Sequence, residues 1–101
     1  MTVWKPDNIT VEPMVILSNW SIMELNDGSR HFVGYNVLLK EGRVSSAIQT
    51  FDKNTMSGIT NSGRVYKLDG SAGCNNDAHY VWQQWCNINS IDINSVRNVK
   101  L

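Results

Sequence analysis

From Met14 to Leu25 the residues favour an extended strand, with Val15 and Leu17 on one alternation and Trp20 and Ile22 on the other. The apolar phase changes near Ser18-Asn19, as a bulge would make it, because one extra residue exchanges the two faces of a strand. Asn26-Asp27-Gly28-Ser29 contains Asp-Gly, a hairpin signal, since a tight primed turn needs positive φ at its centre. The second strand, Arg30 to Val37, sets His31, Val33, Tyr35 and Val37 against Arg30, Phe32, Gly34 and Asn36. Apolar residues on both faces place it centrally.

After a turn at Lys40-Glu41-Gly42, a third, half-polar strand runs from Arg43 to Phe51. Ile59-Thr60 is read as a short extended piece between turns, and Arg64 to Leu68 as a fourth strand. The helix is the clearest element: between Asn76 and Ile88, Ala78, Val81, Trp82, Trp85 and Ile88 recur at steps of three and four residues. Asn75 or Asn76 can cap it, and Asp77 suits the positive end of its dipole. Together these elements predict an α+β fold: an antiparallel four- to five-stranded meander with one C-terminal helix packed on one face. Residues 1–13 read as an irregular arm anchored by Trp4. Residues 90–101 form a tail, either a last short strand or a loosely docked segment.

At 101 residues the chain is expected to be one domain, since two halves would be too small to bury useful cores. Apolar residues at 42% exclude a disordered chain, and the balance of nine basic against nine acidic residues removes any long-range field toward phosphate or anionic lipid. Nucleic acid and membrane are therefore not the expected partners. No basic leader with a long apolar run is present in Met1 to Pro6, so a cytoplasmic location is expected. The acceptor-like triplets at Asn8 and Asn19 are then read as chance, and Cys74 and Cys86 as free thiols.

No stretch carries a motif whose chemistry demands an activity, so no catalytic residue is assigned and an enzyme is not the favoured reading. Cys74, His79 and Cys86 are the only clustered metal-ligand types. His79 and Cys86 lie two helical turns apart, about 10.5 Å of rise, too far to share one zinc ion, so neither metal nor cofactor is expected. Asp69-Gly70-Ser71-Ala72-Gly73 precedes the helix without the lysine and the β-α-β context of a phosphate loop. Four tryptophans are the compositional oddity. Trp82 and Trp85 are expected to fill the core, whereas Trp4 and Trp20 either pack or stand out as interaction anchors.

Gly42-Arg43-Val44 and Gly63-Arg64-Val65 each open a predicted strand after a turn. Side by side, those strands would put Arg43 and Arg64 on one surface, where a guanidinium can grip a carboxylate or phosphate with two bonds. The segments Ile22-Met23-Glu24, His31-Phe32-Val33-Gly34-Tyr35, Gly42 to Ser46, Ser62 to Tyr66 and Asp77 to Trp82 resemble a type of short uncharacterised bacterial protein carried by phages, integron cassettes and other mobile elements. That resemblance spans roughly Trp20 to Asn89. It implies adaptive or interaction roles and assigns no functional residue.

Two readings of function follow. The first is a non-enzymatic protein-interaction or binding protein, a homodimer or a partner of another protein, joined through the sheet face that the helix leaves uncovered. The alternative is a small-ligand or anion-binding domain, with or without enzymatic activity, whose cleft is formed by His31, Arg43, Arg64 and Tyr66; a small anionic ligand would suit it.

Overall fold

The computed structural model describes residues 13–101. Trp4 and nearly all of the predicted arm lie outside the described residues. The elements are β1 (Met14–Glu24), β2 (Arg30–Asn36), β3 (Glu41–Val44), β4 (Ile48–Asp52), β5 (Ser57–Thr60), β6 (Val65–Leu68), α1 (Asn76–Ile88), a 3₁₀ turn (Ile93–Ser95) and β7 (Arg97–Asn98). Among the described residues the fold is α+β, with one α-helix and a mostly antiparallel sheet of seven strands rather than four or five. The surplus has two sources. The predicted third strand breaks at Ser45–Ala47 into β3 and β4, and the tail contributes β7.

The sheet order β3-β2-β1-β6-β5-β4 departs from a simple meander. Two three-stranded meanders, β1-β2-β3 and β4-β5-β6, are joined by β6 lying parallel to β1, with Met14 opposite Val65 and Leu17 opposite Leu68. Further along, β1 pairs instead with β7, through Met23 and Glu24. In a flat sheet β4 would lie about 19 Å from β2, four spacings of about 4.8 Å. The ring centroids of Phe32 on β2 and Phe51 on β4 are 5.9 Å apart. The sheet therefore coils strongly, and its second half folds back over the first.

This coiling overturns the expectation of an open sheet face. Phe32 and Leu17 are 0% exposed and Val15 is 1% exposed, all enclosed by the chain's own strands in a core with Trp20, Ile22, Tyr66 and Leu68. Among the described residues, the apolar face of β1 and β2 that the helix leaves is covered by the chain's own second meander. The opposite face of the sheet carries the helix, with Val33, Ala78, Trp82 and Cys86 buried between them.

The predicted phase change in β1 is a bulge. Register shifts between Ser18 and Ser21, and Asn19 takes a φ of 46°. Its effect is to bring both apolar alternations of the strand, Val15 with Leu17 and Trp20 with Ile22, into the same core. Gly34 lies across from the bulge, where an added Cβ would sit 3.1 Å from both the Ser18 carbonyl oxygen and the Trp20 Cα. The connection from β6 to the helix is tied to the same irregularity by Gly73 N–H donating to the Trp20 carbonyl at 2.9 Å and the Trp20 indole donating to the Gly70 carbonyl at 3.1 Å.

The helix has the predicted bounds and is capped by the Asn75 side chain, which accepts from Ala78 N–H at 3.0 Å. Its buried stripe runs through Ala78, Val81, Trp82 and Cys86, while Trp85 is half-buried and Ile88 is 57% exposed. The stripe follows the four-residue ridge 78-82-86, which faces the sheet, and Ile88 falls off its end. No helix among the described residues is long and apolar enough to cross a membrane.

The first turn of the helix rests directly on β3. An added Cβ at Gly42 would stand 2.4 Å from the Asp77 carbonyl oxygen and 2.7 Å from the Ala78 nitrogen, both backbone atoms that cannot rotate away. Gly42→Ala is expected to destabilise the fold by about 2–3 kcal/mol through overpacking. Gly28→Ala, at a φ of +89° with open space around it, should cost about 1 kcal/mol from backbone conformation alone. Urea midpoints of the two variants against the parent check the order.

At the other end of β1, Glu24 accepts from Arg30 Nε at 2.8 Å and pairs with Arg97. Arg30 first and Arg97 second hold its carboxyl below the ordinary value of 4.5. A depressed carboxyl contributes stability above its unfolded value and loses it as pH falls through the folded value. Acidification below that range should therefore loosen β7, seen as faster amide exchange at Arg97 and Val99, and Glu24→Gln should remove this pH dependence.

Candidate functional site

The four residues proposed for a shared cleft divide between the two faces of the sheet. Arg43 lies opposite Gly34 in the β2–β3 ladder, so its side chain crosses a position without a Cβ and enters the core away from the helix. There its Nε donates to the Tyr66 hydroxyl at 3.3 Å, and the guanidinium carbon lies 5.9 Å from the Tyr66 ring centroid. Arg64 precedes β6 and belongs to its buried alternation of Arg64, Tyr66 and Leu68. Strands β3 and β6 are not neighbours in the sheet. The coil, rather than direct pairing, brings Arg43 to Tyr66. Arg43, Arg64 and Tyr66 are 3%, 4% and 1% exposed, so these three side chains are enclosed rather than presented to a ligand. Trp20, the other candidate anchor among the described residues, is 4% exposed and belongs to the core.

His31 lies on the opposite face, toward the helix, and is 6% exposed. Its Nδ1 is 2.8 Å from the Ser45 carbonyl oxygen. A carbonyl can only accept, so Nδ1 carries the proton and, in the neutral ring, Nε2 presents a lone pair. The ring packs at 4.8 Å, centroid to centroid, against Trp85, which stacks in turn on Trp82 at 5.3 Å and 11°. Ser45 is fixed by donating its N–H to the Phe32 carbonyl and accepting the Phe32 N–H on Oγ. The break between β3 and β4 thus places the carbonyl that orients His31.

His31 and Trp85 line a groove of about 910 Å³. One wall is the β1–β2 turn, Leu25 to Ser29. The other is the end of α1 with the segment Asn89 to Ser95, and Ala47 and Asn61 complete it. The turn is held by Leu25 N–H to the Ser29 carbonyl at 2.8 Å, and Asp27 Oδ1 accepts from Ser29 N–H at 2.9 Å and from Ser29 Oγ at 2.7 Å. Those two Ser29 bonds, with His31 adding to them, hold the Asp27 carboxyl below the usual 3.8. On the facing wall Asp92 Oδ1 accepts from Asn94 N–H at 2.9 Å and caps the 3₁₀ turn. Among the described residues, Asp27 and Asp92 are the carboxylates that line the groove, and no lysine or arginine lines it.

The helix ends here in a Schellman motif: Ile91 N–H reaches the Cys86 carbonyl at 2.8 Å and Ser90 N–H the Asn87 carbonyl at 3.2 Å. The pivot of this motif favours glycine, yet it is Ser90, with a φ of 57°. No basic residue occupies the last turn of α1; its Trp85 carbonyl is met instead by the backbone N–H of Asn89 at 3.1 Å and by the Asn89 side-chain amide at 2.8 Å.

Other features carry less chemistry. An opening of about 470 Å³ is walled by Trp20, Met56, Val99 and Leu101 among others, and one of about 80 Å³ at Cys74 and His79 has room only for solvent. Cys74 is exposed and Cys86 buried, both as free thiols, and burial pushes the Cys86 thiol up. Among the described residues no three of His, Cys, Asp and Glu come together as metal ligands would. Comparison with protein-family models, curated proteins and solved structures finds no match.

Of the groove, sequence reasoning found His31 as a ligand candidate and Trp85 as a core candidate. It read Asp27 only as a turn former and did not single out Asn89 or Asp92. The one local signal was the concentration of Asn, Asp and Ser after the helix, which is the composition of an ordinary loop as well.

Ser90→Gly should stabilise the protein by about 1 kcal/mol by relieving the left-handed backbone, measured as a higher urea midpoint with unchanged slope.

Proposed function

We propose that this chain is a non-enzymatic binding domain for a small molecule, with its site in the groove above His31. The observation that carries this reading is a histidine more than nine-tenths buried that lines the groove, its ring held by Nδ1 donating to a backbone carbonyl and by packing on Trp85. The groove volume of about 910 Å³ lies within the usual span of small-molecule sites. The walls are positioned by hydrogen-bonded turns and a helix terminus rather than by long loops, so little ordering is required on binding.

The reading is one of binding rather than catalysis. Ser29 Oγ donates to Asp27 Oδ1, but the Ser29 bonds hold that carboxyl below its ordinary value, which makes it a weak base for activating a hydroxyl. The earlier expectation of an arginine-lined cleft for an anion has less support than this site, because both arginines are enclosed on the other face.

Amide NMR of the intact chain against a mixed library of cationic, neutral and anionic metabolites tests the proposal. Hits are expected to move the signals of Asp27, Ser29, Asn89 and Asp92 and the Trp85 indole. His31→Phe keeps a ring against Trp85 and removes both nitrogens. Its affinity for any hit should fall about tenfold, the worth of one hydrogen bond, with the spectrum confirming that the variant is folded. A library that leaves those signals still in the folded parent ends the reading.

A further inference from the structure

We infer that a second copy of this chain docks on the outer face of the second meander, about a two-fold axis that runs along β5 and sets Lys67 of each copy against Asp52 of the other.

The helix covers the outer side of the coiled sheet over β2 and β3. Among the described residues, the start of β1 and the strands β6, β5 and β4 keep that side open, with Met14 and Ile59 45% and 42% exposed. Alternation fixes which side chains stand there. Val15 and Leu17, Tyr66 and Leu68, and Gly58 and Thr60 are buried, so their neighbours along each strand point outward. The register sorts those neighbours into two rows across the sheet. In the first, Met14 lies opposite Val65, Val65 opposite Ile59 and Ile59 opposite Thr50. In the second, Ile16 lies opposite Lys67, Lys67 opposite Ser57 and Ser57 opposite Asp52.

The second row is its own electrostatic complement. Lys67 and Asp52 flank β5 at the same height, each one strand spacing of about 4.8 Å away. A two-fold rotation about an axis along β5, lying between the copies, exchanges the two positions and keeps their height. Each lysine then faces an aspartate, twice over, while Ile59 meets Ile59 on the axis and Val65 meets Thr50. Face-to-face sheets stand about 10 Å apart, a gap that a long lysine closes onto a short aspartate. The Asp52 carboxylate is already oriented by accepting Asn54 N–H at 2.9 Å. Lys53 stands apart from the pairing, lining the opening beside Trp20 and Met56. The outward residues of β4 and β5 also line a hollow of about 260 Å³, room for a facing side chain.

The charges select this occupant over others. An anionic ligand or surface meets Asp52 beside Lys67, and a cationic one meets Lys67 beside Asp52, so neither gains from the pair. A second copy gains from both. Contact over three strands spans about 15 Å across and about 13 Å along the strands. A patch of that size falls below the roughly 1,200 Å² buried by a standard interface, so the dimer is weak and reversible.

Sedimentation velocity of the full chain from micromolar to millimolar concentration tests this. The parent should pass from monomer to dimer, with amide signals of Ser57, Ile59 and Lys67 moving along the same concentration series. Ile59→Lys, at an exposed position, sets like charges together on the axis and should raise the dissociation constant about tenfold or more. Lys67→Asp alone faces carboxylate with carboxylate, and Asp52→Lys alone faces ammonium with ammonium, so each should be a monomer where the parent dimerises. An equimolar mixture of those two variants restores both opposite-charge pairs and should dimerise again. Amide spectra confirm that each variant is folded, and Lys67→Gln with Ile59→Thr gives a milder pair of changes that should weaken the dimer in the same direction. A parent that stays monomeric at millimolar concentration overturns the inference. So does a dimer that survives Ile59→Lys and both charge reversals, which would place the contact on another face, and so does a mixture that fails to associate.

Discussion

The whole fold depends on one strand being able to serve two different sheets of contacts along its length. β1 pairs with β2 on one edge, while its other edge takes β6 in parallel at Met14 to Leu17 and β7 in antiparallel at Met23 and Glu24. A straight strand of this length would turn half of its apolar side chains away from the core. The bulge at Asn19 resets the alternation, so Val15, Leu17, Trp20 and Ile22 all reach the same interior. Gly34 opposite admits the irregularity, and the 70–73 loop is pinned to it. Without that local kink the second meander would have no continuous apolar surface to coil over.

The coil divides the polar residues of the sheet into two kinds. Arg43 and Tyr66 become interior partners, bridging strands that are not adjacent and fixing how tightly the sheet closes. His31 becomes the floor of a groove on the other face, its tautomer set by the Ser45 carbonyl at the break between β3 and β4. The same three-residue interruption that splits the predicted third strand therefore orients the buried histidine. Such buried polar contacts contribute little net stability but favour one arrangement of the chain over its alternatives.

Local features were legible in the sequence and long-range ones were not. The helix bounds, its asparagine cap, the Asp-Gly turn and the bulge in β1 each have a signal within a few residues. The Gly-Arg-Val repeat was visible too, and its two copies do mark the third strands of the two meanders, but nothing in the triplets says that β1 and β2 lie between them. The parallel pairing of β1 with β6 joins residues about fifty positions apart, beyond any periodicity. Reading both faces of β2 as apolar was sound. The half-polar pattern of residues 43–51 concealed strands of the same chain that fold over one of those faces. The groove escaped for a related reason: Asp27, Asn89 and Asp92 come from separate turns, each locally indistinguishable from a solvated loop.

The parallel junction has a consequence for how this chain is made. β1 lies early in the sequence, yet its outer edge is completed only by Val65 to Leu68 and then by Arg97 and Asn98. During synthesis the first meander must wait, with Val15 and Leu17 uncovered, until most of the chain has emerged. Closing so long a loop before any contact rewards it makes this the slow step of folding. The apolar stretch from Val15 to Leu17 is accordingly the segment through which a nascent chain would be captured by a chaperone or lost to aggregation.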